Sequence, residues 1–379
     1  MSEDIVRGLQ KLSIRGSKNE WSLNCKQFEH IKPATHSSQS LPFFEEVEEV
    51  GTLTHWLDTD ETVLSSQQGL ANLADDLCHF MQDGSRLSIS KYIGHDMLKN
   101  YDNFVPLTTD QLENMTGVRK FIDQWKGKNG QQKLTIVCSR HNLIDLIMAP
   151  FSDQAVHLNA IHTGGYLHIF PDRQSVEQCT GIHSKDARIK KICYSGFELE
   201  NLITVPPTPN RRSAFYSIVR GKIDSNIECL FKAEMDCIDP IANTYTEIKC
   251  SSGLKPRNTY HRLKLLRMWV QTSLIPSTDL LIGIRDPYYN QLASFERYTR
   301  DQLYRKFNNS NLNFIRRNYN YNANVSVQWF DHIMKSICKL ITPHLPSDNS
   351  ELTSFKITLT KDLCLKLRKL DNTPTNTMF

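Results

Sequence analysis

Glu234-Met235-Asp236 and Glu247-Ile248-Lys249 lie in two short stretches that are rich in β-forming residues. Residues i and i+2 of a strand point to the same face, so we expect Glu234 to share a face with Asp236, and Glu247 with Lys249. If the two strands are neighbours, three carboxylates and one ammonium group converge. Oxygen-only ligand sets of this kind bind Mg²⁺ or Mn²⁺, and such an ion can activate water beside a phosphoryl group. The pattern is typical of metal-dependent nucleases.

The composition is that of an ordinary globular protein. The chain has 379 residues, of which 23% are charged and 39% are hydrophobic, and this length is enough for a substantial core. No apolar run is long enough to span a bilayer and the N-terminus has no apolar signal core, so we expect neither a membrane span nor secretion. The ten cysteines form no Cys-x-x-Cys pair, which predicts reduced, packed thiols. The thirteen histidines form no His-Glu-x-x-His motif, which argues against a zinc site.

The net charge of +4 is only mildly basic, but the positive charge is clustered. Basic groups near a predicted acidic metal site favour a polyanionic substrate, although each group could equally be solvated surface charge. The stretch from Lys249 to Arg285 has Asp279 as its single acid. The other two groups are Lys185, Arg188, Lys190 and Lys191, and Arg211, Arg212, Arg220 and Lys222.

The hydrophobic periodicity predicts one mixed α/β body. We expect a loosely ordered N-terminal arm over 1–40, a single catalytic domain over 41–370 and a C-terminal tail over 371–379. The predicted helices are 64–81, 110–126, 142–148, 260–274 and 325–341. The predicted strands are 133–138, 155–158, 166–170, 214–219, 227–236, 245–250, 280–284 and 355–360.

Five motifs in chain order carry a resemblance to a known family. They are Arg140, Gly196-Phe-Glu-Leu-Glu200, Glu234-Met-Asp236, Glu247-Ile-Lys249 and Gln271. Their order and the neighbouring sequence, such as Gly283-Ile-Arg-Asp286, closely resemble those of the DXO/Rai family of RNA 5′-end decapping enzymes and 5′–3′ exoribonucleases. The resemblance covers about residues 130 to 370 and favours a fungal DXO-like member.

The resemblance implies a fold and a set of roles. The fold is α/β, with two packed mixed β-sheets flanked by helices and a nuclease-like Asp…Glu-x-Lys cleft between the sheets. The implied cofactor is Mg²⁺ or Mn²⁺, as two ions. The implied metal ligands are Glu200, Asp236, Glu247 and the main-chain oxygen of Ile248, with Glu234 acting through water. The implied catalytic residues are Glu234, Lys249 and Gln271, and the implied RNA contacts are Arg140, Lys249 and Gln271.

The helix predicted over 260–274 has a basic side and an apolar side. Lys264, Arg267 and Gln271 share one face at spacings i, i+3 and i+7, opposite Leu265, Leu266, Trp269 and Val270. We expect the basic face to contact RNA phosphates. The alternative is an ordinary amphipathic helix. Likewise, Glu-x-Asp and Glu-x-Lys could be the solvated face of a sheet with Glu–Lys cross-strand pairs.

Four positions depart from the family pattern. Ser139 and His141 flank Arg140 where Trp and Gly are usual, Glu198 stands where a lysine is common, and Asp279 where an arginine is common. We expect the last two changes to lower the positive potential near the site.

The expected function is metal-dependent hydrolysis of phosphodiester bonds at RNA 5′ ends. The enzyme would remove non-standard or incompletely methylated caps as a dinucleotide and degrade RNA 5′–3′. Its partners would be capped, NAD-capped or 5′-phosphorylated single strands, and it would be a cytoplasmic monomer, with the nucleus as the alternative. Two other functions stay open. One is a stabilising partner of a nuclear 5′–3′ exonuclease, and the other is a metal-dependent DNA nuclease with the same core.

Overall fold

The structure is a computed structural model of the chain. It describes residues 15–17, 19–25, 40–108, 111, 114–125, 134–172, 181–208, 211–255, 258–288, 290–308, 323–346 and 351–371. Within this part, no helix is long and apolar enough to cross a membrane.

Eleven strands of the described chain form the larger sheet, sheet A. It is mixed, because β6 (Leu134–Ser139) pairs in parallel with both β8 (Tyr166–Pro171) and β11 (Ile227–Glu234), whereas β11 is antiparallel to its other neighbour. In spatial order the strands are β1 (Arg15–Ser17), β2 (Glu20–Asn24), β17 (Cys364–Leu370), β16 (Thr353–Leu359), β7 (Val156–Thr163), β8 (Tyr166–Pro171), β6 (Leu134–Ser139), β11 (Ile227–Glu234), β10 (Ser213–Lys222), β3 (Glu46–Trp56) and β4 (Glu61–Leu64).

Within the same described ranges, six strands form the smaller sheet, sheet B. It is also mixed, because β13 (Thr244–Ser251) pairs in parallel with β14 (Thr278–Arg285) and antiparallel with β12 (Cys237–Asp239). In spatial order the strands are β15 (Leu292–Tyr298), β14 (Thr278–Arg285), β13 (Thr244–Ser251), β12 (Cys237–Asp239), β5 (Asn72–Leu73) and β9 (Thr204–Val205). The predicted class, two mixed sheets with helices around them, is confirmed.

Helices connect the two sheets through a shared core. The described helices are α1 (Asp75–Asp83), α2 (Thr116–Trp125), α3 (Arg140–Met148), α4 (Ala187–Ile203), α5 (Thr259–Ser273), α6 (Arg300–Phe307) and α7 (Ala323–Ile341). The largest core cluster joins sheet A to α3, α5 and α7, and reaches Leu280 and Ile282 of β14. Burying this continuous apolar surface stabilises the sheets and the helices as one body.

Two expectations about local structure were wrong. The segment 64–81 is not one helix: β4 ends at Leu64, and α1 begins only at Asp75. The left-handed φ of 54° at Ser65 turns the chain where a helix would have to start. In the expected loose arm, β2 pairs with β17 and Leu23 is buried, so this part is ordered. The remaining domain limits stay a prediction, and residues 1–14, 26–39 and 372–379 lie outside the described part.

Candidate active site

The chain crosses from sheet A to sheet B at Glu234-Met235-Asp236. Glu234 is the last residue of β11 and is exposed, whereas Asp236 lies in the connection before β12. Met235 between them is 3% exposed, and its N–H donates to the carbonyl of Phe215 at 3.0 Å. The expectation that Glu234 and Asp236 share a strand face was therefore wrong, because the buried methionine fixes a crossover instead of a continued strand.

The strands that carry the two acidic motifs are also not neighbours, because β11 belongs to sheet A and β13 to sheet B. Convergence comes from the crossover itself. The short strand β12 pairs with β13, with Cys237 opposite Thr246, so Asp236 arrives beside the Glu-x-Lys motif. Asp236 Oδ2 accepts a hydrogen bond from the backbone N–H of Ile248 at 2.6 Å.

Glu247 is the most buried acid of the group, at 1% exposure, and three side chains donate to it. Arg140 Nη1 lies 3.1 Å from Glu247 Oε2, while Lys249 Nζ and Gln271 Nε2 both donate to Oε1. Burial alone would raise the pKa of Glu247, but the charges of Arg140 and Lys249 lower it below its usual value. Glu247 is therefore ionised at neutral pH.

The other carboxylates are less well compensated and repel one another, although Lys249 Nζ lies 3.9 Å from Asp236 Oδ2. Burial and the charge of Glu247 raise the pKa of Asp236 to about 7. Glu200 projects from α4, and burial together with the charges of Asp236, Glu234 and Glu247 raises its pKa well above the ordinary value. Four acids from sheet A, sheet B and α4 thus lie close enough to interact.

This donor set fits a hard divalent cation, because all of its ligand atoms are oxygens. In the described residues, however, no three acidic, imidazole or thiol side chains already form a coordination group. Asp236 and Glu247 instead accept hydrogen bonds from protein donors. An ion would have to replace some of these bonds.

Lys249 is a charged group of the site. Burial lowers the pKa of its ammonium, but the charges of Glu247 and Asp236 outweigh this effect and raise it above its usual value. Its Nζ also donates to the carbonyl of Ile248 at 3.1 Å. Lys249 therefore acts as a fixed positive charge and not as a base.

Helix α5 has the predicted two sides. Leu265, Leu266, Trp269 and Val270 are 0% exposed in the core. On the other side, Gln271 reaches Glu247 and Lys264 Nζ donates to Ser251 Oγ at 3.0 Å. Arg267 instead makes a half-exposed ion pair with Asp145 of α3 at 3.0 Å. The structure therefore brings Gln271 to the acidic group and Lys264 to Ser251 of β13, whereas Arg267 faces α3.

Replacing Gln271 by Ala should lower RNA cleavage about tenfold or more, since removal of one partner of a charged hydrogen bond typically costs roughly 1.5–3 kcal/mol. Single-turnover cleavage of a 5′-phosphorylated RNA would measure the loss. Gln68→Ala, at an exposed glutamine, is the matched control. Normal cleavage and normal RNA binding in Gln271→Ala would remove this residue from the site.

Glu198 and Asp279, two of the departures from the family pattern, interact with residues outside the acidic group. Glu198 is buried on α4, where it pairs with His95 Nε2 at 2.7 Å and accepts from the Tyr194 hydroxyl at 3.0 Å. Burial and the charge of Asp239 raise the pKa of Asp279, and Arg297 opposes this shift. The contacts of Glu198 and Asp279 are thus with residues outside the acidic group. Their expected effect on the site potential has no support in these contacts.

His141 follows Arg140 on α3, and burial lowers the pKa of its imidazole to about 4. The ring is therefore neutral at physiological pH and adds no positive charge beside Arg140.

Two residues of the predicted basic groups form ion pairs within sheet A. Arg220 pairs with Glu228 at 2.9 Å and with Glu48 at 3.0 Å, and Lys222 pairs with Glu46 at 2.9 Å, so their charge is neutralised by the sheet. Solvated and paired surface charge is thus the correct interpretation for these two residues.

Two residues near the site were not selected from the sequence. Ser251 lies on β13 at spacing i+4 from Glu247, so strand alternation could have predicted that they share a face. Arg285 is the last residue of β14 and belongs to the motif Gly283-Ile-Arg-Asp286. It is only 8% exposed, which the sequence could not predict.

Comparison with known proteins gives consistent matches. A family model described as RAI1-like PD-(D/E)XK nuclease matches residues 58–378. The chain is 32% identical to decapping and exoribonuclease protein 1 of Kluyveromyces lactis over 365 residues, covering 92% of this chain and 88% of that protein. It is 36% identical over 301 residues to the Saccharomyces cerevisiae protein of the same name, covering 75% and 68%.

Among solved structures, K. lactis Dxo1 in complex with manganese superposes with a TM-score of 0.78 at 29% identity. The match covers 94% of this chain and 99% of the other.

Proposed function

Since this chain belongs to the RAI1-like PD-(D/E)XK nuclease family, we propose that it hydrolyses phosphodiester bonds at RNA 5′ ends with the help of a divalent cation. It is an enzyme of the nuclease class, and the names of its yeast relatives place RNA decapping and exoribonuclease activity in the family. The observation that carries the proposal is the convergence of Glu200, Glu234, Asp236 and Glu247 around one lysine at the crossover between the sheets.

Mg²⁺ or Mn²⁺ would be held by Glu200, Asp236, Glu247 and the main-chain oxygen of Ile248, with Glu234 binding through water. The manganese complex of K. lactis Dxo1 supports a divalent cation, and we propose two ions. When bound, such ions supply an activated water and stabilise charge on the departing oxygen.

The side chains of this protein supply binding and charge. Lys249 stays protonated among the acids, so it can hold the scissile phosphate and offset its negative charge. Gln271 is placed to orient the attacking water or the phosphate, because its amide already reaches the carboxylate of Glu247. Arg140 donates to the same carboxylate through Nη1, and its Nη2 donates to the backbone carbonyl of Glu234 at 2.8 Å. An RNA phosphate would have to compete for that guanidinium, or bind its remaining donors.

We further propose that the enzyme removes non-standard or incompletely methylated caps as a dinucleotide and then degrades the single strand 5′–3′. These reactions, NAD removal and pyrophosphate release all cleave phosphorus–oxygen bonds, so one group of carboxylates can serve each of them. A monomer in the cytoplasm stays a prediction.

One assay series tests the function. The purified protein, with Mg²⁺ or Mn²⁺, is given RNAs that carry a methylated cap, an unmethylated cap, NAD, a triphosphate or a monophosphate. We expect a released cap dinucleotide from the unmethylated cap and shortening of the monophosphate RNA, and loss of both in Glu234→Ala/Asp236→Ala. Activity that persists in the double variant would mean that the site is elsewhere.

Two further arms test the alternatives. Cleavage of duplex DNA without cleavage of 5′-monophosphate RNA would indicate the DNA nuclease. Copurification with a large 5′–3′ exonuclease, together with inactivity on every RNA, would indicate the stabilising partner.

A further inference from the structure

The carboxylates of the acidic group differ in how they are held. Glu247 accepts hydrogen bonds from three side chains, and Asp236 accepts one from the backbone N–H of Ile248. Within the described part of the chain, the carboxylate of Glu200 accepts no hydrogen bond and forms no ion pair, although nearby charges act on it. The direction in which Glu200 points therefore depends on how its helix, α4, is fixed.

Glu198 lies on the side of α4 that faces away from Glu200, since two residues of an α-helix are separated by about 200° around its axis. It is 6% exposed, and each carboxylate oxygen has a donor. Nε2 of His95 donates to Oε1 at 2.7 Å, and the hydroxyl of Tyr194 donates to Oε2 at 3.0 Å. The same hydroxyl also contacts the carbonyl of Lys99. Burial raises the pKa of Tyr194 to about 12, so this donor keeps its proton at neutral pH.

One partner of Glu198, His95, belongs to backbone that extends sheet B. Gly94 N–H donates to the carbonyl of Leu292 at 2.8 Å, and Leu292 N–H donates to the carbonyl of His95 at 2.9 Å. The segment 94–97 thus lies beside the first residue of β15, the outer strand of the sheet. Glu198 therefore links α4 to the sheet that also carries the Glu-x-Lys motif.

Apolar packing by itself specifies the rotation of α4 only weakly. Leu199 packs onto Gly283 of β14, where an added Cβ would come within 2.6 Å of Leu199 Cδ2. This contact sets the distance between helix and sheet, but apolar contact is non-directional. The hydrogen bonds of Glu198 have a required geometry, and a buried polar network whose partners are complete is rigid. They can therefore fix the helix about its own axis.

We propose that Glu198 is a positioning residue: through His95 and Tyr194 it fixes the rotation of α4, and thereby the direction of Glu200 toward Asp236. This rests on the proposed function, in which Glu200 is a cation ligand, and it identifies a contact that sets the affinity for the cation. Ligands of a preorganised site tolerate displacements of only about 0.5 Å, so a small rotation of α4 would weaken cation binding.

Direct binding of Mn²⁺ without RNA tests this role. Calorimetric titration compares the wild-type protein with Glu198→Leu, Tyr194→Phe, His95→Leu and His95→Gln. Thr135→Val is the matched control, because Thr135 Oγ1 likewise donates to a buried carboxylate, Glu228 Oε1 at 2.9 Å, but within sheet A. Thermal unfolding in chelator checks that each variant is folded. Tyr194→Phe removes a single oxygen atom and carries the test if Glu198→Leu does not fold.

We expect about tenfold weaker Mn²⁺ binding in Glu198→Leu and His95→Leu, and about threefold weaker binding in Tyr194→Phe, at or below the low end of what the loss of an outer contact costs a metal site. His95→Gln keeps an N–H donor and should bind Mn²⁺ nearly as well as the wild type. Thr135→Val should leave the affinity unchanged even if it lowers the unfolding temperature.

A second background shows whether Glu198 acts through Glu200. In Glu200→Gln, adding Glu198→Leu should weaken Mn²⁺ binding little further, because the ligand that it positions is already altered. The Mn²⁺-induced rise in unfolding temperature follows this weaker binding. Three results would overturn the proposal. They are wild-type affinity in Glu198→Leu and Tyr194→Phe, an equal loss in Thr135→Val, and an undiminished tenfold loss in the Glu200→Gln background.

Failure of this proposal can be told apart from failure of the proposed function. The function is judged by RNA cleavage and Mn²⁺ binding of the wild-type protein, whereas the positioning role is judged by the ratio of variant to wild-type Mn²⁺ affinity.

Discussion

Replacing Asp236 by Asn should abolish RNA cleavage and at the same time stabilise the cation-free protein. The substitution removes a charged metal ligand. We therefore expect the cleavage rate to fall by at least about 1,000-fold, which corresponds to roughly 4 kcal/mol of transition-state stabilisation. The fold should persist because the amide oxygen can still accept the 2.6 Å hydrogen bond from Ile248 N–H.

The stabilisation follows from the direction of the pKa shift. The pKa of Asp236 rises from 3.8 to about 7 on folding. Between these values the folded protein holds a proton that the unfolded chain has released, so stability falls as the pH rises through this window. Above about pH 7 the full penalty of an ionised Asp236 beside Glu247 is present. Asn removes that penalty.

Thermal unfolding in chelator is the measurement. We expect Asp236→Asn to unfold at least a few degrees higher than wild type at pH 8, and at nearly the same temperature below pH 4. Asp331→Asn, at a surface acid of α7 that pairs with Lys335, controls for the loss of a charge. An unchanged or lower unfolding temperature at pH 8 would contradict the repulsion that we infer, and retained cleavage would contradict the role as a ligand.

Replacing Arg140 by Met should give the largest loss of stability among the site variants. Arg140 and Glu247 are 7% and 1% exposed, and their ion pair is 3.1 Å long. Removing one partner of a buried pair leaves an uncompensated charge and typically costs about 3–5 kcal/mol. We expect the lower end of this range, because Lys249 and Gln271 still donate to Glu247.

Urea unfolding of the single and double variants tests this prediction. Arg140→Met/Glu247→Gln should recover part of the stability, because the stranded carboxylate is gone. Arg267→Met is the matched control, since its pair with Asp145 is half-exposed and should contribute less than about 1 kcal/mol. A double variant that is no more stable than Arg140→Met would contradict the stranded charge that we infer.

The sequence allowed the type of most elements near the site to be predicted, because their patterns are local. The strand over 245–250 and the helix over 260–274 correspond to β13 and α5. The apolar stripe of α5 follows directly from its spacing. The segment 64–81 failed because its apolar residues mimic a helical period, whereas the turn at Ser65 depends on contacts with β3.

The identity of the candidate residues came from their order along the chain, but their arrangement did not. Strand alternation assigned Glu234 and Asp236 to one face, and a buried methionine between them changed the backbone path. Arg140 and Gln271 were expected to contact RNA, and both already contact Glu247. Such contacts depend on which side chains meet across two sheets, which no local pattern contains.

The crossover at Met235 has a thermodynamic consequence. Its neighbours Glu234 and Asp236 lie at the junction of both sheets, and Glu200 belongs to a helix. A cation that binds these carboxylates would link three separate parts of the backbone. By mass action, a ligand at 100 times its dissociation constant contributes about 2.7 kcal/mol to the native state. Here that contribution would resist separation of the sheets as a whole, so the cation concentration would set the stability of the fold as well as its chemistry.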